Sequence, residues 1–392
     1  MKKLFGILAF LAAALLLTTG IIFYARGYRP NLKEKSLQGT GIVSIKSKPQ
    51  GAAVSINGER KGTTDLDITD LSPGKYKIKI TKEGFSTWEK EEEVKKEAVN
   101  LIEAVLFPVA PSLRALTFTG VVSPLASPVG DKIVFALSGP KETAGLPARP
   151  AGGPNGSPRG EASGKAGIWA LSLSTSSLPS FFVKDLVQLA SDTKEFSFSS
   201  GEYQFSPDGK QVLVKLADQS IFFLLETSKK NENPKEVTLD VDKIRQDWNQ
   251  KASSDTKNRL KSLGKSAETT ASGLTNLAFS TDKNSFFGLT ADGLVVLYAG
   301  KPEPNGSKPP KIFNLPKAEK YFWYPDNKHV ILVNKEAISI TEIDGTNNVT
   351  IYTSNFDPNF LAPWPDGSRL VIATTLNSSV SSLPNLYAIE LH

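Results

Sequence analysis

The sequence predicts an all-β protein preceded by one N-terminal membrane helix. Three observations lead to this prediction: a turn-and-strand unit recurs through the C-terminal two-thirds, residues 41–107 alternate apolar and polar side chains, and an uncharged apolar stretch lies near the N-terminus. The chain has 392 residues, of which 40% are hydrophobic and 22% charged. This composition is that of a globular protein and not of a disordered chain.

The apolar stretch begins at Leu4 and ends at Tyr24, and its 21 residues carry no charge. A helix needs about 20 apolar residues to span a bilayer, whereas the apolar core of a signal peptide has about 7 to 15. We therefore expect a membrane anchor over residues 1–29, with the lipid bilayer as its partner, and a juxtamembrane linker over residues 30–40. The alternative is a signal peptide cleaved near Ala25-Arg26-Gly27.

Positive charges flank both ends of this stretch, so the positive-inside rule does not set its orientation. We favour the N-terminus inside, because large domains translocate largely regardless of charge. The expected localisation is the cell membrane, with a single pass and the bulk of the chain extracytoplasmic.

Residues 41–107 predict a small β-sandwich of about five to seven strands. Tyr76, Ile78 and Ile80 alternate with lysines, which is typical of a strand with one buried face, and Asn57-Gly58 is a hairpin-turn signal. The segment resembles the PEGA domain, although Gln50 replaces the usual Glu of the motif. The motif residues, which we expect to be structural, are Pro49, Gly51, Ala52, Gly58, Gly74 and Gly84. The resemblance implies a module of prokaryotic envelope proteins that mediates protein contacts and carries no catalytic residue.

The recurrent unit is clearest where Phe-Ser-Pro-Asp-Gly-Lys, beginning at Phe205, leads into an apolar run. Proline sets the backbone angle of a tight turn, Asp bonds nearby amides, and Gly takes the left-handed conformation that closes the turn. Spacings between the Pro128, Pro207, Thr281, Pro325 and Pro365 positions are 79, 74, 44 and 40 residues. The two shorter spacings match one four-stranded propeller blade of roughly 40 to 50 residues.

We therefore expect a β-propeller of about five blades, with six as the alternative, over residues 111–392. The longer spacings hold insertions at 139–165, rich in Pro, Gly and Ala, and at 228–272, with a helix over 241–263. The repeats resemble those of TolB-like and WD40-like propellers. Turn residues expected to be structural are Pro128, Pro207, Asp208, Gly209, Asp282, Pro325, Asp326, Pro365, Asp366 and Gly367.

Few residues are available for catalysis or metal binding. The chain has no cysteine and two histidines, His329 and His392, of which His329 is expected to be an exposed turn residue. A histidine-based triad or a zinc site needs more partners than these. We expect no catalytic residue, no metal and no cofactor, and hence no enzyme. The alternative is an envelope hydrolase or lyase that uses paired carboxylates such as Asp208 and Asp366 at the propeller mouth.

Charge argues against a nucleic-acid partner. The net charge is +6, but residues 1–33 contribute +5 of it and the rest of the chain is about neutral. The sequence thus predicts a membrane-anchored extracytoplasmic binding or scaffold protein, whose sandwich and propeller contact an unidentified envelope protein or glycan. A sensor that couples binding through the helix is a further hypothesis.

Overall fold

The fold is described by a computed structural model. The residues described are 2–25, 28–31, 36–138, 166–173, 186–217, 219–300, 311–376 and 383–391. The expected insertion at 139–165 lies outside them. The chain divides into two compact units, Met1–Val109 and Ala110–His392, each of which is described by itself.

The first unit begins with a long apolar helix, α1 (Lys2–Ala25). At 1.5 Å per residue it is about 36 Å long, enough to cross a hydrocarbon layer of about 30 Å. Within it, Phe5–Ile22 is long and apolar enough to span a membrane, and none of that window is buried. Leu16, for example, keeps 73% of its surface exposed. Nothing in the described chain covers this apolar surface.

A hairpin of β1 (Tyr28–Asn31) and β2 (Ser36–Gly39) follows α1, where the sequence predicted a linker. Tyr28 pairs with Gly39 across the hairpin, and its hydroxyl donates a hydrogen bond to Glu97 Oε1 at 2.6 Å. The segment therefore has its own strand pairing and a fixed contact with the sandwich behind it.

Seven strands in two sheets then form the sandwich. They are β3 (Gly41–Lys48), β4 (Ala53–Ile56), β5 (Glu59–Thr63), β6 (Leu66–Leu71), β7 (Gly74–Thr81), β8 (Trp88–Val94) and β9 (Val99–Val105). One sheet has the order β6-β3-β9, with β3 and β9 parallel, and the other the order β5-β4-β7-β8. Alternate residues such as Val43, Ile45, Ile78 and Ile80 are fully buried between the sheets. The lysines of β7 face solvent, and two of them form ion pairs with glutamates of β8: Lys75 with Glu91 at 3.0 Å and Lys77 with Glu89 at 2.6 Å.

The described residues of the second unit form five antiparallel four-stranded sheets, named I to V in chain order. Sheet I consists of β11 (Val122–Ala126), β12 (Lys132–Leu137), β13 (Gly167–Ser172) and β14 (Leu186–Ser191). Sheet II consists of β15 (Glu202–Phe205), β16 (Gln211–Lys215), β17 (Phe222–Glu226) and β18 (Lys235–Glu236). Sheet III consists of β19 (Thr275–Phe279), β20 (Phe286–Leu289), β21 (Val295–Ala299) and β22 (Lys311–Asn314). Sheet IV consists of β23 (Lys320–Trp323), β24 (His329–Val333), β25 (Ala337–Glu342) and β26 (Val349–Thr353).

Sheet V combines the two ends of the unit. Its strands are β27 (Leu361–Pro363), β28 (Arg369–Thr374), β29 (Asn385–Glu390) and, on the outer side of β29, β10 (Leu113–Ala115). The first strand of the unit is thus hydrogen-bonded to the last one, so the two ends of this unit are held together.

Two helices lie between sheets II and III in the chain: α2 (Val241–Leu263), with the predicted bounds, and α3 (Lys265–Ser272), which the sequence analysis did not predict. The start of α2 packs Ile244 and Trp248 on Leu213 and Leu224 of sheet II. Its last residue, Leu263, contributes instead to the cover on sheet III.

That cover consists of Leu263 with two alanines of α3, Ala267 and Ala271, over the stacked rings of Phe286 and Tyr298. The apolar residues of α2 are therefore divided between two sheets. The middle of α2, residues 249–258, is almost entirely exposed.

The remaining sheets pack on each other. Sheet I buries Phe135 and Trp169 against sheet V and, on its other face, Val134 and Ile168 against sheet II. Sheet III buries Leu297 and its neighbours against sheet IV. Each of these sheets has two apolar faces, so each needs a neighbour on both sides.

A candidate binding face at the strand turns

The five repeated turns join the first two strands of each sheet and share one hydrogen-bond pattern. They are turn I (127–132), turn II (206–211), turn III (280–285), turn IV (324–329) and turn V (364–369). In each turn the fourth amide donates to the carbonyl of the first residue, over 2.8 to 3.1 Å. The first amide donates to the carbonyl of the sixth residue, over 2.9 to 3.1 Å. The five turns are therefore the same local structure.

The fourth position of each turn has a left-handed backbone. Its φ is +74° at Gly130, +69° at Gly209, +62° at Lys283, +60° at Asn327 and +75° at Gly367. Turn III has neither the Pro nor the Gly of the pattern, yet Lys283 takes the same conformation. The hydrogen bonds and strands around it hold a residue that would rarely adopt this angle alone.

The aspartates at the third position are bound within their own turns. Each of the four accepts a hydrogen bond from the amide two residues later: Asp208 at 3.2 Å, Asp282 at 3.0 Å, and Asp326 and Asp366 at 2.8 Å. These carboxylates close the turns, as an Asx turn does.

One of the turn aspartates, Asp208, has a strongly lowered pKa. The hydroxyl of Ser206 donates to its Oδ1 at 2.7 Å and, with the amide and Lys251 contacts, lowers the pKa of Asp208 to about 2, against an opposing effect of burial. At Asp282 burial acts in the raising direction, but hydrogen bonds from Ser280 and Asn284 outweigh it and lower the pKa. Both groups are therefore carboxylates at neutral pH.

Neighbouring turns contact one another. Gly209 of turn II lies against Ser127 and Val129 of turn I. Asn327 of turn IV accepts a hydrogen bond from the Thr281 amide of turn III at 2.8 Å. The Tyr324 hydroxyl of turn IV donates to the Gly367 carbonyl of turn V. Turns I and II, and turns III to V, thus form two continuous surfaces.

Helix α2 spans the interval between turns II and III. Lys251 Nζ lies 3.2 Å from Asp208 Oδ2 in turn II, and the Arg259 guanidinium lies 5.4 Å from the ring centre of Phe279, the residue before turn III. We call the surface formed by the five turns and residues 251–259 of α2 the turn face. Lys251, Tyr324 and Asn327 connect it. Tyr324 and Asn327 belong to the repeated turn unit, but no local pattern predicts their contacts with residues distant in sequence.

The prediction of an exposed His329 was wrong. Only 3% of this residue is exposed, because it is the first residue of β24 and its ring lies edge-on to Tyr324 with centroids 6.0 Å apart. Its Nδ1 lies 2.6 Å from Asp326 Oδ2. His329 is a packed residue of turn IV, which the spacing of the motif alone did not reveal.

No contact brings Asp208 and Asp366 together among the described residues, since each lies in its own turn. The described part of the chain also has no group of three or more His, Cys, Asp or Glu that could hold a metal ion.

The motif residues of the sandwich lie mainly in its turns. Pro49 and Gly51 lie between β3 and β4, Gly58 in the β4–β5 turn, and Gly84 before β8, while Gly74 begins β7. Ala52 is completely buried. Their expected structural role remains a prediction.

Residues 40–108 match the sequence model of the PEGA domain. The predicted resemblance over this segment is therefore confirmed. No curated protein matches the chain.

Three solved structures illustrate what the fold is similar to. The putative TolB of Agrobacterium tumefaciens is 14% identical, over 68% of this chain and 70% of that one, with a TM-score of 0.22. TolB of Acinetobacter baumannii is 13% identical, over 80% and 59%, with a TM-score of 0.22. The Pyrococcus horikoshii acylaminoacyl peptidase is 10% identical, over 70% and 38%, with a TM-score of 0.22. The chain thus spans less than two-thirds of the last two proteins.

Gly209→Ala tests the contact between turns I and II. A Cβ at Gly209 would lie 2.5 Å from Ser127 Oγ and 2.9 Å from Val129 Cγ2, whereas a Cβ at Gly130 would meet nothing within 4 Å. Both glycines hold the same turn position with similar φ. We expect Gly130→Ala to cost about 1 kcal/mol of backbone strain and Gly209→Ala about 1 to 3 kcal/mol more. Urea unfolding of the detergent-solubilised chain measures both, and equal losses would contradict the contact.

Asp208→Asn tests the charge in turn II. Because the folded pKa of Asp208 is about 2, below the ordinary 3.8, its carboxylate stabilises the fold above pH 4, and that stabilisation is lost as pH falls to about 2. Discounted for solvent screening, we expect roughly 1 kcal/mol. The variant should therefore be less stable than the parent at pH 7 and equal to it near pH 2. Asp247→Asn, on an exposed part of α2, is the control, and the same pH profile in both variants would contradict the assignment.

Proposed function

We propose that this chain, whose residues 40–108 are a PEGA domain, is a membrane-anchored extracytoplasmic binding or scaffold protein of a prokaryotic cell envelope. The single observation that carries the proposal is the exposed apolar surface of α1. An uncovered apolar window such as Phe5–Ile22 is unstable in water, and a bilayer removes that cost. The large β-rich part that follows then lies beside the membrane.

The second unit is proposed to be a closed ring, a propeller of five blades in which α2 and α3 fill the gap between sheets II and III. Three kinds of contact support it. Sheet packing runs from III to IV and from V through I to II, the Tyr324–Gly367 bond joins IV to V, and α2 with α3 covers the open faces of II and III. Strand β10, the first strand of this unit, pairs with its last strand, β29, within sheet V. Closure of this kind protects sheet faces that would otherwise be exposed.

The turn face is proposed as the surface that binds an envelope protein. It is continuous over several sheets, and its aspartates are engaged by their own turns, which leaves exposed side chains such as Lys210 and Lys283 for recognition. The hydrolase alternative needs two free carboxylates on one substrate. Asp208 and Asp366 each accept a hydrogen bond within their own turns, which favours a structural role. A binding role requires only exposed side chains on a continuous surface, which the turn face provides.

Protease accessibility tests the anchor and its orientation. The full chain carries a C-terminal tag, and protease is added from outside to spheroplasts and to intact cells. We expect the protease to remove the tag from spheroplasts but not from intact cells, whose outer layers exclude it. Deletion of residues 4–24 should release the chain from the membrane fraction. A tag that stays protected in spheroplasts and is cut only after lysis would contradict the extracytoplasmic placement.

Photo-crosslinking tests the turn face. A photoreactive residue replaces Lys210 in turn II or Lys283 in turn III, and the matched control replaces Lys235 on β18, the opposite edge of sheet II. We expect the two turn positions to capture the same protein and the control not to capture it. Capture of a glycan would favour the other ligand class, and equal capture at all three positions, or none, would contradict a binding role of this face.

A further inference from the structure

The sandwich is closely tethered to the end of the membrane helix. Helix α1 ends at Ala25 and strand β1 begins at Tyr28, so three Cα steps, about 11 Å at most, separate them. If α1 spans the hydrocarbon layer, Tyr28 lies in or next to the headgroup layer, which adds about 6 Å on each side.

Tyr28 is in turn attached to the turn between β8 and β9, residues 95–98. Its hydroxyl donates to Glu97 Oε1 at 2.6 Å, and Lys96 Nζ lies 4.7 Å from the centre of its ring. The side chain of Lys96 also packs directly on Gly39, the partner of Tyr28 in the hairpin, and leaves no room for a Cβ there. The hairpin is therefore fixed to one end of the sandwich.

The chain beyond the hairpin is held at the same place. The Glu97 amide donates to the Thr40 carbonyl and the Ile42 amide to the Ala98 carbonyl, both at 2.9 Å. A Cβ at Gly41 would meet Val94 Cγ1 at 2.5 Å, so this segment passes directly beneath the turn. The hairpin is therefore joined to the sandwich without a flexible segment. The end of the sandwich that contains residues 95–98 is the end nearest the bilayer.

Three large apolar side chains are exposed at this end. Val99 is 68% exposed, Leu101 58% and Ile42 37%. Ile42 and Val99 are register partners on the parallel strands β3 and β9, and Leu101 follows Val99 on the same face. Lys95, also exposed, precedes them. Adjacent exposed apolar residues beside a basic one are typical of surfaces that bind membranes.

We infer that Ile42, Val99 and Leu101 insert into the headgroup region of the bilayer, so that the sandwich binds lipid directly in addition to being anchored by α1. The inference rests on the proposed anchor. The short tether selects lipid over a second copy of the chain, because it brings this face to the membrane whether or not another copy is present. The same contact restricts the sandwich to one orientation on the membrane surface.

Site-directed spin labelling tests this contact in the full chain, which has no native cysteine to interfere. Val99→Cys and Leu101→Cys are labelled, and the matched control is Lys79→Cys. Lys79 is exposed and lies opposite Glu89, six residues and about 20 Å along β8 from the membrane-proximal turn. Each chain is reconstituted into vesicles of phosphatidylcholine and phosphatidylglycerol, and accessibility to oxygen and to a water-soluble nickel reagent is measured.

We expect the labels at 99 and 101 to lose access to the nickel reagent and to gain collisions with oxygen, while the label at 79 remains accessible to water. Water accessibility at 99 and 101 equal to that at 79, in chains that float with the vesicles, would overturn the lipid contact alone. Dipolar broadening between labels at 101 without oxygen access would indicate a second copy and overturn it as well. Chains that do not float with vesicles would overturn the anchor and, with it, this inference.

Discussion

Burial of both faces of each four-stranded sheet is the constraint on which the second unit depends. A sheet with apolar side chains on both faces is stable only when each face is covered. Sheet I meets this need with sheets V and II. Sheets II and III each have one face without a neighbouring sheet, and α2 with α3 covers both. The helices are thus part of the core, although the sequence around them is mostly polar.

The same constraint explains the position of the candidate binding surface. Stacked sheets place equivalent turns next to each other, so contacts such as Thr281 with Asn327 and Tyr324 with Gly367 follow from the stacking. The aspartates that close these turns become part of a shared surface without becoming reactive. A repeated structural turn therefore forms the extended surface that we propose as a recognition face, an arrangement common in repeat architectures.

At the other end of the chain the decisive constraint is a short tether. Two residues separate the apolar helix from a hairpin that Tyr28, Gly39 and Lys96 fix to the sandwich. A flexible linker would let the sandwich rotate freely above a membrane, whereas this connection would present one end of it to the proposed bilayer. The exposed Val99 and Leu101 lie at that end, and the proposed lipid contact gives a physical reason for their exposure.

Much could be predicted from the sequence where the signal is local. The apolar length of α1, the alternation in β7, the bounds of α2 and the turn chemistry around Gly209 each depend on residues close together in the chain. Other features could not be predicted from the sequence, because distant segments impose them. They are the left-handed backbone of Lys283, the burial of His329 and the pairing of β10 with β29. The sequence by itself determined the apolar length of α1, the alternation in β7, the bounds of α2 and the repeated turns. Only the tertiary structure decided which faces are covered, since burial depends on neighbours that no local pattern specifies.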